Sequence, residues 1–404
     1  MTELLAPVGN FERLNTALYF GADAVYLGGK AFGLRAFCDN FDDLELKRAI
    51  DFCHSLGRKV YVTLNIYAYD EDLGAISDYA KLLCEMGADA VIVSDPGIME
   101  CVKKSAPKLH IHLSTQANTT NSAAAKFWAD VGVKRIVLAR EVSLQNIRKI
   151  RDAIPDSVEL EAFVHGAMCV AYSGRCLLSA VTTGRSGNRG ECAQSCRWEY
   201  ALMEKTREGE YFPIEEDGRG TYILNSKDMC MIEHIDKLMD AGVVSFKIEG
   251  RAKTAYYLAT VVNAYRRAID FFNSHPRGEK LPSEIVAEPY KTGHRSFNTG
   301  FYFGPAEQYL PSAKTEQTYE MSAVVVEADG NRVKIEQRNR FKTGDELEVM
   351  SPGKAHGTRF TVPEMRSESG EAVTDAKLVQ QVLTLSMPIE LRAGDILRRK
   401  ISEK

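Results

Sequence analysis

The chain has 404 residues, of which 45% are hydrophobic and 26% are charged, and its formal net charge at pH 7 is −4. This length predicts one large domain and a smaller one, with enough apolar residues for a sizeable core. The negative net charge excludes a globally basic nucleic-acid-binding protein, so any basic surface for nucleic acid must be local.

The first residues of the chain contain no basic region followed by a long apolar run, which argues against a signal peptide. No stretch approaches the roughly 18 apolar residues that a membrane span requires. We therefore expect a cytoplasmic protein that does not enter a membrane.

Up to about residue 274, short apolar runs alternate with amphipathic helical patterns. The runs predicted as strands are Glu3–Ala6, Ala24–Leu27, Lys59–Leu64, Ala90–Val93, His110–Leu113, Arg135–Leu138, Val158–Val164 and Val244–Ile248. The helices predicted around them include Phe11–Tyr19, Leu44–Leu56, Ala75–Met86, Leu144–Ala153 and Thr254–Phe272. Eight strand–helix units favour an α/β fold of the (β/α)8 TIM-like barrel type. A doubly wound sheet is the alternative, but no Gly-x-Gly-x-x-Gly motif follows the first strand.

Such barrels place their active sites at the C-terminal ends of the strands. The residues expected to ring that mouth are Pro7–Gly9, Gly28, Gly29, Asn65, Asp95, Gln116, Arg140, Glu141, His165 and Glu249–Arg251. Ser245, Lys247 and Glu249 alternate along the eighth strand, and polar residues on an inward face are hard to explain as packing. Lys247 and Glu249 are therefore candidate catalytic residues, and His165 is a third because it follows the seventh strand close to Cys169.

Four of the nine cysteines lie in a cysteine-rich, glycine-rich insertion after the seventh strand, at Cys169, Cys176, Cys192 and Cys196. Four thiolates in one segment predict a soft-metal centre, and an iron–sulfur cluster tolerates this varied spacing. Zinc is less favoured because the two-residue gaps of zinc ribbons are absent, while two disulfides or inert buried cysteines stay open. Cys230 is the alternative fourth ligand, behind Cys196, which only three residues separate from Cys192.

The remaining sequence predicts a helix that starts at Asn225–Asp228, carries Cys230 and runs to about Asp240. We expect residues 1–274 to form the barrel, with the cluster-binding loop at 161–230, and residues 275–318 to wrap back on it. Residues 319–404 contain short apolar runs separated by turns, which predict a small antiparallel β-barrel. Its predicted strands are Met321–Glu327, Arg332–Glu336, Glu346–Met350, Arg359–Val362, Gln381–Leu385 and Ile396–Arg399.

One long motif resembles the signature of the collagenase-like peptidase family U-32. It consists of Glu161-x-Phe163-x-x-Gly166-Ala167-Met168-Cys169 followed by Gly174-x-Cys176-x-Leu178-Ser179. Similar stretches cover nearly the whole chain, namely LLAPVGN, GADAVYLGG, NSKDM, SFKIEGR and HRSFNTGFYFG. Within the family, the chain is most similar to the tRNA hydroxylation branch.

The resemblance implies an enzyme that converts a wobble uridine of tRNA to 5-hydroxyuridine, with a [4Fe–4S] cluster and with prephenate as cosubstrate. It implies that the tRNA anticodon loop and a paralogous protein are partners of this chain and that DNA is not. Prephenate is a dicarboxylate, and guanidinium groups match carboxylates and phosphates. The candidate substrate-binding residues are therefore Arg35, Arg140, Arg175 and Arg251.

Two other functions stay open. The family label suggests a peptidase, for which a dyad of Cys169 with His165 would supply the nucleophile and base. That dyad would leave Cys176, Cys192 and Cys196 unexplained, and neither a His-Glu-x-x-His nor a Gly-x-Ser-x-Gly motif is present. The other alternative is a non-catalytic tRNA-binding partner of a hydroxylase.

Overall fold

The computed structural model describes residues 2–34, 39–169, 176–198, 215–217, 220–222, 227–304 and 315–401. Two of the predicted substrate-binding residues, Arg35 and Arg175, lie outside these ranges. No helix in the described ranges is long and apolar enough to cross a membrane.

Eight parallel strands close into a barrel, which confirms the predicted TIM-like fold. Neighbours along the chain pair in order, and the last barrel strand pairs with both the seventh and the first. The strands of this part are β1 (Glu3–Pro7), β2 (Ala24–Leu27), β3 (Lys59–Thr63), β4 (Ala90–Val93), β5 (His110–Leu113), β6 (Arg135–Val137), β7 (Glu159–Ala167), then β8 (Glu215–Asp217), β9 (Gly220–Tyr222) and β10 (Asp228–Cys230) of the insertion, and β11 (Val243–Ile248), which closes the barrel.

Helices connect the strands, and local side chains set their ends. Asp42 caps one helix through its side chain and forms a reciprocal capping box with Glu45, while Gly87 and Gly132 end two others at φ of 89° and 91°. The helices are α1 (Phe11–Tyr19), α2 (Asp43–Ser55), α3 (Leu73–Met86), α4 (Pro96–Ser105), α5 (Ser122–Val131), α6 (Leu144–Ala153), α7 (Leu178–Thr183), α8 (Ile235–Asp240), α9 (Ala255–Ser274) and α10 (Ser283–Ala287).

The helix predicted from Asn225 is wrong over its first half. Asp228–Cys230 is strand β10, which runs antiparallel to β7 and places Cys230 opposite His165. The Asp228 carboxylate accepts hydrogen bonds from the backbone N–H of Arg295 (3.1 Å) and from its guanidinium (3.0 and 2.7 Å). This buried ion pair holds Asp228 in extended backbone, so helical structure begins only at Ile232. Cys230 therefore lies on a strand and not on a helix.

The chain after α9 returns to the barrel before it forms the C-terminal domain. Strand β12 (Phe297–Asn298) pairs with β10, and the hydroxyl of Tyr302 donates to the carbonyl of Phe163 at 2.6 Å. A curled antiparallel sheet follows, which confirms the predicted C-terminal β-domain. Its part of the chain contains β13 (Tyr319–Asp329), β14 (Arg332–Gln337), β15 (Phe341–Lys342), β16 (Glu346–Met350), β17 (Arg359–Thr361), β18 (Met365–Ser367), β19 (Ala372–Val373), β20 (Asp375–Ala376), β21 (Val382–Ser386) and β22 (Ile396–Lys400). The predicted domain boundaries stay predictions.

A buried group of charges joins the sheet to the segment after α10. Arg398 is fully buried and contacts Glu288 (2.9 Å) and Glu348 (3.0 Å). Lys291 contacts the same two carboxylates at 3.1 and 2.9 Å. Burial would raise the pKa of Glu288, but the cationic and hydrogen-bonding neighbours hold it well below its ordinary value. We call these four residues the interdomain ion cluster.

We predict that Arg398→Met lowers the free energy of unfolding by roughly 3–5 kcal/mol, because it leaves two buried carboxylates with less charge compensation. Urea unfolding measures the loss. Arg366→Met is the matched control, since the side chain of Arg366 is 57% exposed and pairs with Glu364 at the surface. The control should change the free energy by no more than about 0.5 kcal/mol. Equal effects of the two substitutions would contradict the prediction.

Candidate functional site

The barrel interior contains a network of charged side chains centred on Glu161. Its buried carboxylate lies 2.8 Å from Nζ of Lys247 and 3.0 Å from Nη1 of Arg135, and it accepts a hydrogen bond from Ser245. Burial alone would raise the pKa of Glu161, but the two cations hold it below its ordinary value. The polar face of the eighth barrel strand thus points inward, as expected, and its residues Ser245 and Lys247 contact Glu161 there.

Two further residues of this network, Arg135 and Glu3, were not predicted from the sequence as site residues. Arg135 contacts Glu3 as well as Glu161, and the Ser245 hydroxyl lies between the two carboxylates, 2.9 Å from Glu3 and 3.1 Å from Glu161. A charged residue at the first position of a strand usually indicates solvent, so the sequence gives little signal for an inward arginine. The network explains Lys247 as a structural cation, and its catalytic role stays a prediction.

Arg140 lies at the C-terminal mouth, in the loop after β6. Its Nη1 donates to the carbonyl of Ala167 at 2.8 Å, and its Nη2 lies 3.6 Å from the Glu249 carboxylate. The guanidinium carbon is 4.0 Å from the centre of the Phe163 ring. The structure therefore brings two predicted site residues, Arg140 and Glu249, together beside the end of β7.

Arg251 follows β11 and is packed against the end of β2. It is only 3% exposed and donates to Asn40 and to the carbonyl of Asp39. A Cβ atom at Gly28 would lie 2.9 Å from both terminal nitrogens of Arg251. Only glycine at position 28 lets the guanidinium reach this position.

Amide side chains connect two further strand ends at the same mouth. Nδ2 of Asn65 donates to the side-chain Oε1 of buried Gln116 at 3.1 Å, and the hydroxyl of Tyr67 donates to the backbone carbonyl of Gln116 at 3.2 Å. Asp95, another predicted mouth residue, caps α4 by accepting the N–H of Ile98 at 3.0 Å. Asn65 and Gln116 thus form a polar pair at the mouth, whereas Asp95 has a structural partner.

His165 lies in a buried aromatic cluster between β7 and α9. Its ring centre is 6.0 Å from that of Tyr257, 5.5 Å from Tyr265 and 5.3 Å from Phe297. Burial lowers its pKa to about 3, so the imidazole is neutral at physiological pH. Cys169, by contrast, is exposed. The structure gives the two members of the hypothetical dyad different environments, and a catalytic role of His165 stays a prediction.

Within the described residues, the four cysteines of the insertion form no disulfide, and they lie at or near the surface. The sulfur of Cys176 accepts the backbone N–H of Leu178, and the sulfur of Cys192 accepts that of Gln194, both at 3.4 Å. Each bond comes from the second residue after the cysteine, and an N–H group directed at a sulfur is compatible with a metal-bound thiolate. The donor chemistry therefore fits a thiolate-held centre.

The positions of these sulfurs do not by themselves define a set of metal ligands. Within the described ranges, no group of three or more His, Cys, Asp or Glu side chains lies close enough together to hold a metal ion. Cys230 differs from the four, because burial raises the pKa of its thiol to about 11 and the hydroxyl of Tyr265 lies 3.8 Å from its sulfur. The ligand set thus stays a prediction.

Residues 176–198, which we call the cysteine segment, dock against the loop after β3. The Asn188 side chain accepts the backbone N–H of Cys176 (3.4 Å), and its carbonyl accepts the N–H of Tyr67 (3.3 Å). Arg189 donates to the carbonyl of Tyr67 (2.9 Å) and pairs with Asp72 (3.0 Å). The cysteine segment therefore lies at the barrel mouth, as expected, and it is held there by Asn188 and Arg189, which were not predicted from the sequence.

Comparison with known proteins shows that two family models match the chain. The model described as peptidase family U32 matches residues 9–311, and the model of the family's C-terminal domain matches residues 317–398. Together they cover both parts of the structure.

Individual relatives carry different names. The chain is 37% identical over 402 residues to tRNA hydroxylation protein P1 of Bacillus subtilis, covering 98% of this chain and 94% of the relative. It is 40% identical to the 23S rRNA 5-hydroxycytidine C2501 synthase of Escherichia coli, covering 66% of this chain and 39% of the relative. It is 35% identical to a collagenase of Porphyromonas gingivalis, covering 75% and 73%.

We predict that His165 makes the folded state sensitive to acid. Its pKa is about 3 in the folded protein against 6.5 for an ordinary histidine, so the unfolded chain binds the proton first. The stability that depends on neutral His165 is complete above pH 6.5 and declines as the pH falls towards 3. Within this window the contribution is roughly 1.4 kcal/mol per pH unit. Urea unfolding across the window should show a shallower decline for His165→Phe, and equal declines would contradict the prediction.

Proposed function

This chain belongs to the peptidase U32 family, and on that premise we propose that it hydroxylates a wobble uridine of tRNA to 5-hydroxyuridine. The observation that carries the proposal is the docking of a thiol-bearing segment at a polar barrel mouth. Likeness over nearly the full length to a tRNA hydroxylation protein supports the substrate. Likeness to an rRNA 5-hydroxycytidine synthase supports the chemistry, since both products carry a hydroxyl on C5 of a pyrimidine.

The barrel mouth suits a base presented by a single-stranded loop. A wobble uridine is unpaired in free tRNA, so its base can enter a pocket without the cost of opening a duplex. Asn65 and Gln116 supply polar groups at this mouth, and Arg140 and Glu249 supply charged groups. We expect the reaction to take place in the cytoplasm.

We assign a [4Fe–4S] cluster to Cys169, Cys176, Cys192 and Cys196. The N–H bonds to two of the sulfurs support thiolate ligands in this segment. The raised pKa of Cys230 disfavours its thiolate and so favours Cys196 as the fourth ligand. A bound cluster would supply electron transfer beside the mouth.

The same proposal assigns an anionic cosubstrate, prephenate, to the mouth arginines. Arg140 and Arg251 follow the sixth and last barrel strands, and a dicarboxylate offers each a carboxylate partner. Both guanidinium groups are already held in place by protein carbonyls, so binding would require little further ordering of these side chains.

Peptidase activity is the less well supported hypothesis for the same site. It requires Cys169 to be activated by His165, yet Cys169 is exposed while His165 is enclosed by aromatic rings. A histidine whose pKa is about 3 is also a weak base. Purified protein free of iron should accordingly leave peptides uncleaved.

We predict that protein purified without oxygen contains about four iron atoms per chain. Cys196→Ser should lose most of this iron because a ligand is removed, whereas Cys230→Ser should retain it. Iron analysis and the visible absorption spectrum measure both. A colourless protein with one tightly bound zinc would contradict the cluster, and loss of iron in Cys230→Ser would show that the fourth ligand is Cys230.

We predict that cells lacking this gene lose 5-hydroxyuridine and its derivatives from tRNA, as measured by mass spectrometry of nucleosides. The wild-type gene should restore them. Arg251→Ala should restore about ten- to a hundredfold less per unit time, because charge-assisted hydrogen bonds worth roughly 1.5–3 kcal/mol are lost. Its iron content and thermal stability are compared with the wild type. Unchanged tRNA in the deletion strain would contradict the proposed function.

Reconstitution of the reaction from purified components distinguishes an enzyme from a non-catalytic partner. Purified protein with its cluster, unmodified tRNA and prephenate should form 5-hydroxyuridine. If product forms only after a paralogous protein is added, the chain acts as part of a complex. Binding of tRNA without product in either mixture would indicate the non-catalytic alternative.

A further inference from the structure

Tyr69 is an exposed aromatic side chain that lies where the cysteine segment meets the barrel mouth. It follows β3 by a few residues and is 61% exposed. Its backbone N–H donates to the Asp72 carboxylate at 2.8 Å, and the guanidinium carbon of Arg189 lies 4.7 Å from its ring centre. A large aromatic ring therefore has its backbone tied to Asp72 and a guanidinium beside it, while most of its surface faces solvent.

We propose that Tyr69 is the stacking platform for an unpaired RNA base that flanks the modified uridine. The inference rests on the proposed function, and it adds a binding residue and a ligand class to that site. Aromatic side chains stack readily on unpaired bases, because every base presents a flat π face. The high exposure of Tyr69 places it at the rim of the mouth, which fits a flanking base better than the reacting one.

The charges around Tyr69 indicate that the ligand there is a base and not a phosphate. Asp70 and Glu71 follow it directly and are exposed, and they would repel the RNA backbone. The base itself is uncharged, so it can lie on the ring provided that the phosphates of its nucleotide point away from these carboxylates. Arg189 stacks on the ring and is itself held by Asp72 and by the Tyr67 carbonyl. A base on Tyr69 would thus extend an existing arginine–tyrosine stack without ordering new side chains.

The same turn of the cysteine segment connects Tyr69 to the thiols. Asn188 accepts the backbone N–H of Cys176, and the next residue, Arg189, covers Tyr69. A base stacked on Tyr69 would therefore lie beside the segment that we assign to the cluster. The neighbouring uridine could then enter the mouth between that segment and the polar pair Asn65–Gln116.

The test measures binding of anticodon stem-loop RNA to the full-length protein with its cluster. Tyr69→Ala should weaken binding about ten- to a hundredfold, in line with the loss of one base stack, and Tyr69→Phe should bind like the wild type. Phe127→Ala is the matched control. The exposed fraction of Phe127, 58%, is similar to the 61% of Tyr69, but Phe127 lies on α5. Its removal should therefore leave RNA affinity unchanged.

RNAs that lack single bases give the decisive comparison. One stem-loop lacks the base on the 5′ side of the target uridine, and another lacks the base on its 3′ side. For one of these two RNAs, Tyr69→Ala and wild type should bind equally, because the stacking partner is already missing. An equal penalty on every RNA would assign Tyr69 a structural role, and no penalty on intact RNA would exclude stacking. Either result overturns the proposal.

Hydroxylation by the wild type is measured separately on full tRNA. Failure of the wild type to form 5-hydroxyuridine would count against the proposed function, whatever Tyr69 does in the binding assay. Normal activity of the wild type, together with unchanged RNA affinity of Tyr69→Ala, would overturn only the stacking proposal. Iron content of Tyr69→Ala should equal that of the wild type, which excludes an indirect effect through the cysteine segment.

Discussion

One buried carboxylate, Glu161, holds the barrel together where it closes. It lies on β7 and binds Arg135 of β6 and Lys247 of β11, and Arg135 in turn reaches Glu3 of β1. A barrel closes only if its last strand pairs with its first, and here Glu3 of β1 contacts the Ser245 hydroxyl of β11 and is linked to Glu161 through Arg135. Because buried charges are costly when unpaired, this network strongly favours the one strand order that satisfies it. The positions of all mouth residues depend on that order.

Strand β7 also connects this network to the candidate site. Glu161 points into the barrel, Phe163 supports the guanidinium of Arg140, and the backbone then leads to Cys169. A displacement of β7 would therefore move the core network, the mouth arginine and the start of the insertion together. This explains in physical terms why the motif from Glu161 to Cys169 contains both core and site residues.

The barrel strands could be predicted from the sequence because their signal is local. Ala24–Leu27 and His110–Leu113 are short apolar runs between turns, and the structure has the same bounds. The strand at Asp228–Cys230 could not, because it depends on an ion pair with Arg295, which is 67 residues away. Local capping rules favour a helix at Asp228, and the tertiary contact outweighs them.

The same difference between local sequence signals and long-range contacts applies to the candidate site. The chain order of the strands predicted that Arg140 and Glu249 share one mouth, since both follow strands of the same barrel. The docking of Arg189 on Asp72 joins residues 117 positions apart, and a lone arginine in a glycine-rich segment carries no local sign of its partner. His165 shows the reverse case, because its place in the sequence beside Cys169 suggested chemistry, while its side chain packs among Tyr257, Tyr265 and Phe297.

The position of the cysteine segment in the chain has a consequence for biosynthesis. The segment leaves the barrel after β7 and the chain returns only with β11, so it emerges from the ribosome before the strand that seals the ring. Its docking loop, Tyr67–Asp72, is made much earlier. The nascent segment can therefore reach its docking partner while the ring is still open. For the proposed cluster, this order of synthesis means that iron and sulfide would be delivered to thiols already anchored on one side.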